Sequence, residues 1–167
     1  MAVRQIVRFP DPRLRRVAEP VVCFDADLHR LAADLRDTMH AAPGIGITAP
    51  HVGVLLRVVV LEISGGTTRT YVNPQIVWTG EARIRHPEGS VSMPGVTEEV
   101  ERHAAVRVRY QDLHGAGQVE EAEGLLAVCH QHEIDQLDGL FWLHRLSKLK
   151  RDRLIRRYEK VQRPTGA

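Results

Sequence analysis

The chain has 167 residues, enough for one domain around one core. Apolar residues make up 43% and charged residues 26%, which excludes a disordered chain, and a net charge of +2 excludes a molecule that is basic throughout. No apolar run approaches the roughly 20 residues of a membrane span, and the first ten residues lack the apolar core of a signal peptide. Two cysteines, Cys23 and Cys129, make no disulfide framework. A cytoplasmic monomer without membrane contact is expected.

In chain order, Pro10–Arg15 reads as an extended, proline-stiffened segment. A helix follows from about Asp25 to Ala42. Leu28, Leu31, Leu35 and Met39 recur on one face, Asp25 or Asp27 can cap the start, and Pro43-Gly44 stops it. Arg57 to Ile63 is a strand rich in β-branched residues, with Ser64-Gly65-Gly66 as its turn. Tyr71–Pro74 and Gln75–Trp78 are further strand material, broken at the proline. Val106, Val108 and Tyr110 alternate with Arg107 and Arg109 as a half-buried strand does, and Asp112–Gly115 is a hairpin-type turn. A second helix runs from near Gly124 to Gly139. A third, from about Leu143 to Val161, carries Leu146, Leu149, Leu154, Ile155 and Tyr158 as its apolar positions. The order of elements predicts an α+β fold with mostly antiparallel sheet.

Charge is uneven. Residues Arg145 to Lys160 sum to +6, which leaves −4 for the rest.

Three segments carry chemistry: Gly44–Gly53, Glu88–Ser92 and His132–Gly139. In the third, His132 and Glu133 begin an H-E-x-x-H pattern, in which two imidazoles four apart would share one helix face and one metal. Gln136 stands where the second histidine would be. His130 cannot replace it, since it lies about 200° round the helix from His132. Cys129 reads as buried packing. Alone, the first two segments pass as ordinary loops.

Together and in this order, the three segments resemble the motifs of the peptide deformylase family: a G-x-G-hydrophobic-A-A-P-Q-x-G loop, an E-G-C-hydrophobic-S strand and a Q-H-E-x-D-H-L-x-G helix. Pro10–Arg15, Asn73-Pro74 and Asp112–Gly115 also match, so nearly the whole chain is covered. The resemblance implies mostly antiparallel sheets around the motif helix. It also implies a divalent metal (iron, zinc or nickel) held by one cysteine and two histidines, and a metal-bound water that attacks the formyl carbonyl of N-formylmethionyl peptides. Carried over, the metal positions are Ser90, His132 and Gln136. Glu133 is the proton-handling residue, and His51 and the Val91 backbone N–H are the carbonyl donors. The peptide lies along Gly44, Ile45, Gly46, Val91 and His132.

The departures are Ser90 for cysteine, Gln136 for histidine, His51 for the loop glutamine and Thr48 for a loop alanine. A neutral hydroxyl and a carboxamide are weak ligands for these metals, so occupancy is expected to be weak or absent. Three readings stay open. The chain is a non-catalytic homologue that keeps the peptide cleft. It is a hydrolase with a rebuilt site, either a metal site of His51, His132 and Glu133 with Glu88 or Gln136, or Ser90 as nucleophile with His51 or His132 as its base. Or it is an ordinary deformylase with weakly held metal. The resemblance also implies docking of the basic C-terminal helix on ribosomal RNA.

Overall fold

The computed structural model of the chain describes residues 2–63 and 65–164; Ser64 of the expected turn lies outside the described residues. Pro12–Arg15 forms a 3₁₀ turn, a correction to the expected extended segment. Asp11 accepts the Arg13 N–H at 2.9 Å and the proline occupies a position needing no donor, so the turn is well capped. Helix α1 spans Ala26–Ala41, with the Asp25 side chain accepting from Leu28 N.

Strand β1 (Gly46–Thr48) emerges from the glycine loop, and a 3₁₀ turn (Ala49–Val52) follows it. Strand β2 (Val58–Leu61) is buried at every position, as its β-branched composition demands. Strand β3 (Arg69–Thr79) is continuous through Pro74, against the expected break. The proline falls in a register shift between Val72 and Gln75, where no ladder donor is needed. Asn73, at φ 51°, uses its side chain there to accept from Val21 N at 2.8 Å and donate to Val21 O at 2.9 Å.

Strands β4 (Arg83–Ser90) and β5 (Met93–His103) form a long hairpin apart from the main sheet. Strands β6 (Ala105–Gln111) and β7 (Gly117–Glu123) complete a five-stranded antiparallel sheet in the order β1-β2-β3-β6-β7. Helix α2 (Gly124–Leu137) is buried on most of its surface. Ala127 and Ile134 pack with Val106 and Val108, and Cys129 and Leu137 pack with Val59 and Tyr71. Helix α1 covers β1 and β2 through Leu28, Leu31, Leu35 and Met39.

The third helix begins later than expected. Trp142–Arg145 is a separate 3₁₀ turn, Leu146 is extended, and Ser147 caps helix α3 (Lys148–Gln162) by accepting Lys150 N. Leu149, expected to pack, is 61% exposed. Leu154 and Tyr158 anchor the helix instead, against Met93 and Val96 of β5. Arg157 donates to Thr97 O and Glu98, both at 3.2 Å, and Val161 lies against Gly95, where any Cβ would come within 2.8 Å of it. No helix among the described residues is long and apolar enough to cross a membrane.

Candidate functional site

The glycine loop with its 3₁₀ turn, the β4–β5 turn and helix α2 converge on a cleft of about 530 Å³. The loop contributes Gly44, Ile45, Gly46 and His51, the β4–β5 turn Glu88, Ser90 and Val91, and α2 Cys129, His132 and Glu133. Close approach fixes two of the glycines. A Cβ on Gly44 would lie 2.8 Å from Val91, and one on Gly46 only 2.5 Å from the Glu133 carboxylate.

His132 is held from behind. Its Nδ1 lies 2.7 Å from Glu88 Oε1, and Glu88 receives two 2.8 Å hydrogen bonds from Arg102, which also reaches Asp135 at 2.5 Å. Arg102 is only 3% exposed, so both its carboxylate partners are needed to keep the charge in place. Burial works against the Glu88 carboxylate, yet the hydrogen bonds from Arg102 and His132 outweigh it and hold its pKa down to about 2. Burial likewise opposes the His132 imidazolium, but Glu88 and the charge of Glu133 lift its pKa above the ordinary value. Glu88 is then acceptor-only, so His132 carries a proton on Nδ1.

Two buried polar atoms on this cleft have no hydrogen-bond partner among the described residues: His51 Nε2 and Glu133 Oε2. Burial pushes the Glu133 carboxyl up to about 7, against the pull of His132. Burial and the His132 charge depress His51 to about 3, so its ring is neutral.

Ser90 Oγ accepts the Ser92 N–H at 3.1 Å. Gln136, carried over as a metal position, does not line the cleft, and its Nε2 donates to Leu14 O at 2.7 Å. Among the described residues, no group of three or more His, Cys, Asp and Glu side chains is arranged to hold a metal ion. Glu88 is fully engaged by Arg102 and His132. Cys129 is buried as expected but also faces the cleft, and burial followed by the Glu133 charge pushes its thiol up to about 12, which makes it unreactive. His130 turns away to Glu120, 2.8 Å from its Nε2.

Sequence reasoning missed Arg102 and the role of Thr48. Arg102 carried a usable signal: it shares the parity of buried Val96 and Val100 on β5, an inward position for a cation. Thr48 donates its backbone N–H to His51 Nδ1 at 2.9 Å, with its hydroxyl 2.9 Å from the same atom.

Residues 3–152 match the family model for polypeptide deformylase. The chain belongs to the polypeptide deformylase family. A protein named peptide deformylase-like from Brucella melitensis is 67% identical over 98% of this chain and all of that protein. Rhizobium meliloti (strain 1021) supplies two relatives. One, named peptide deformylase-like, is 58% identical over 98% of this chain and 95% of its own length. The other, named peptide deformylase, is 45% identical over 100% of this chain and 98% of its own. Among solved structures, a peptide deformylase from Legionella pneumophila has a TM-score of 0.91 at 39% identity, covering 98% of this chain and 100% of that one. The α+β architecture is thus that of the peptide deformylases. Enzymes of the family act on nascent N-terminal peptides and use a divalent metal.

Proposed function

We propose that this deformylase-family chain binds N-formylmethionyl peptide N-termini in its cleft without running the metal-dependent hydrolysis. One observation carries the reading: at two of the three ligand positions, side-chain atoms are bonded to the protein's own backbone, while two buried atoms facing the cleft wait for a partner. The donor set does not fit the family's metal. It holds one imidazole, one neutral hydroxyl and one carboxamide turned to Leu14 O, and these are weak partners for iron, zinc or nickel. The pair of relatives in Rhizobium meliloti, one under each name, supports a division of labour between a hydrolysing and a non-hydrolysing protein.

A second reading is favoured by Glu133. A carboxyl near pH 7 with a free oxygen suits general acid–base work, so slow amide hydrolysis by Glu133 with His51 and His132 is the alternative. The test is calorimetric titration with a formyl-Met-Ala-Ser peptide, alongside metal analysis and formate release on the same sample. Binding without formate supports the first reading and formate without metal the second. Stoichiometric metal with rapid turnover overturns both.

The proposal extends to a monomeric, cytoplasmic protein whose α3 docks on ribosomal RNA. Lys150, Arg153, Arg156 and Lys160 are exposed on that helix, although Arg157 is partly committed to the β5 lip. Removing residues 145–167 is expected to abolish salt-sensitive ribosome co-sedimentation.

A further inference from the structure

The N-terminal segment straps two walls of the cleft together. Val7 donates its N–H to His51 O and Phe9 donates to Ser92 O, both at 2.8 Å. Val7 is buried in the cluster around Met93 and Trp142, and Phe9 stacks on Phe141 with ring centres 5.6 Å apart. Arg8 lies between them. In an extended segment neighbouring side chains point to opposite sides, so anchoring Val7 and Phe9 inward turns Arg8 outward onto the cleft. There its Nη1 donates to Val91 O at 3.1 Å. The Nε–Nη2 edge of the guanidinium carries further N–H donors, and they have no partner among the described residues.

Charge around the cleft is one-sided. Among the described residues that line it, Arg8 is the one Lys or Arg, and the carboxylates are Glu88 and Glu133. Glu88 is occupied by Arg102 and His132. Burial opposes the charged form of Glu133. Ala42 and Pro43, beside the loop glycines, add no charge. An entering anion therefore meets a cation without a carboxylate partner, and the free guanidinium edge matches the two oxygens of a carboxylate.

We propose that Arg8 is a specificity residue of this chain, the anchor for a carboxylate on a short peptide whose other end lies deeper in the cleft. The inference rests on the peptide-binding reading above and names the class of peptide, acidic rather than neutral. Arg8 is exposed at the rim while His51 and Glu133 are buried, so the anchor acts at a distance from the N-terminal group. The carboxylate can be the C-terminus of a very short peptide or an Asp or Glu side chain near the start of a longer one. A cleft of about 530 Å³ has the volume of a small-ligand site, which suits either source.

Calorimetric titration with two matched pairs of peptides tests the anchor. One pair is formyl-Met-Ala and its C-terminal amide, and the other is formyl-Met-Asp-amide and formyl-Met-Asn-amide. In at least one pair the acidic member should bind the wild-type chain roughly two- to fivefold more tightly, the scale of an exposed charged pair. That ratio should shrink as salt is raised. The pair that shows it identifies the source of the carboxylate. Arg8→Met keeps an unbranched stem and removes the charge, and it should bring the ratio to about one. Arg8→Lys should retain part of it, since the charge stays and the fork is lost. Equal affinity of acidic and neutral members in the wild-type chain overturns the proposal. So does a loss in Arg8→Met that is the same for all four peptides, because bracing Val91 O alone predicts it. Binding of none of the four brings down the peptide-binding reading and this inference with it, a result distinct from equal binding of both members.

Discussion

Two corners of helix α2 lie one turn apart and are held in different ways. At His132 the support behind an imidazole is complete: Glu88 holds Nδ1, and Arg102 holds Glu88. At Gln136 a carboxamide stands one turn on, and Leu14 O accepts its N–H at 2.7 Å. Metal-binding histidines commonly give their second N–H to a carboxylate or a backbone carbonyl. On the proposed reading, Glu88 behind residue 132 and Leu14 O beside residue 136 are the outer partners that two metal-binding imidazoles would use.

The sharpest way to break this contrast is to return the donors. Ser90→Cys with Gln136→His should raise bound metal from well below one equivalent to near one, with formate release from formyl-Met peptides. An imidazole at 136 can keep the Leu14 bond through Nδ1 and free Nε2. Either single change should bind far less metal. Tight metal without turnover would show that the loop carrying His51 has diverged as well.

Removing the frame should cost stability instead. Arg102→Ala leaves Glu88 and Asp135 without their shared cation, and a loss of about 3–5 kcal/mol is expected in urea unfolding. A loss below 1 kcal/mol would mean that water replaces the guanidinium at this corner.

The same corner sets an acid-sensitive window. The Glu88 pKa is about 2 in the fold against an ordinary 4.5, so its contribution is fully present above 4.5 and is lost as pH falls toward 2. Glu88→Gln should flatten the pH dependence of stability in that window and leave the slope above pH 5 unchanged. A slope that persists in the variant assigns acid sensitivity to other carboxylates.

The smallest expected effect is at Gly46. Its Ala variant places a methyl 2.5 Å from the Glu133 carboxylate and 2.9 Å from Leu61. Glu133 must turn, and folding stability should drop by about 1–2 kcal/mol, an overpacking cost, with weaker formyl-peptide binding as the carboxylate leaves its place. Unchanged affinity would remove Glu133 from ligand contact.

The sequence showed most of what local periodicity governs. Helix α1 followed from 3.6-residue spacing, the end of α2 from its stop at Gly139, and β2 from its β-branched run. The β4–β5 hairpin escaped because Pro87, Gly89, Pro94 and Gly95 interrupt the strand pattern. Among the described residues the two strands pair only with each other, so both are edges that tolerate such residues. Pro74 misled in the opposite sense, since a bulge absorbs it. At the site, the three segments and the His132–Glu133 pair were legible. The destination of Gln136 was not, because a backbone carbonyl 122 residues earlier leaves no mark in sequence. Thr48 was visible only as a departure, since its contacts with His51 depend on how the loop folds.

Residues 93–97 of β5 form one face of the cleft and, on the other side, the seat of α3, where Val161 covers Gly95 and Arg157 grips Thr97 O. A layer one strand thick is a poor insulator. Any ligand that shifts this strand changes the free energy of seating the helix, and thermodynamic reciprocity requires that whatever grips the helix alters the ligand's affinity by the same factor. The cleft and the basic helix are therefore two handles on one piece of backbone.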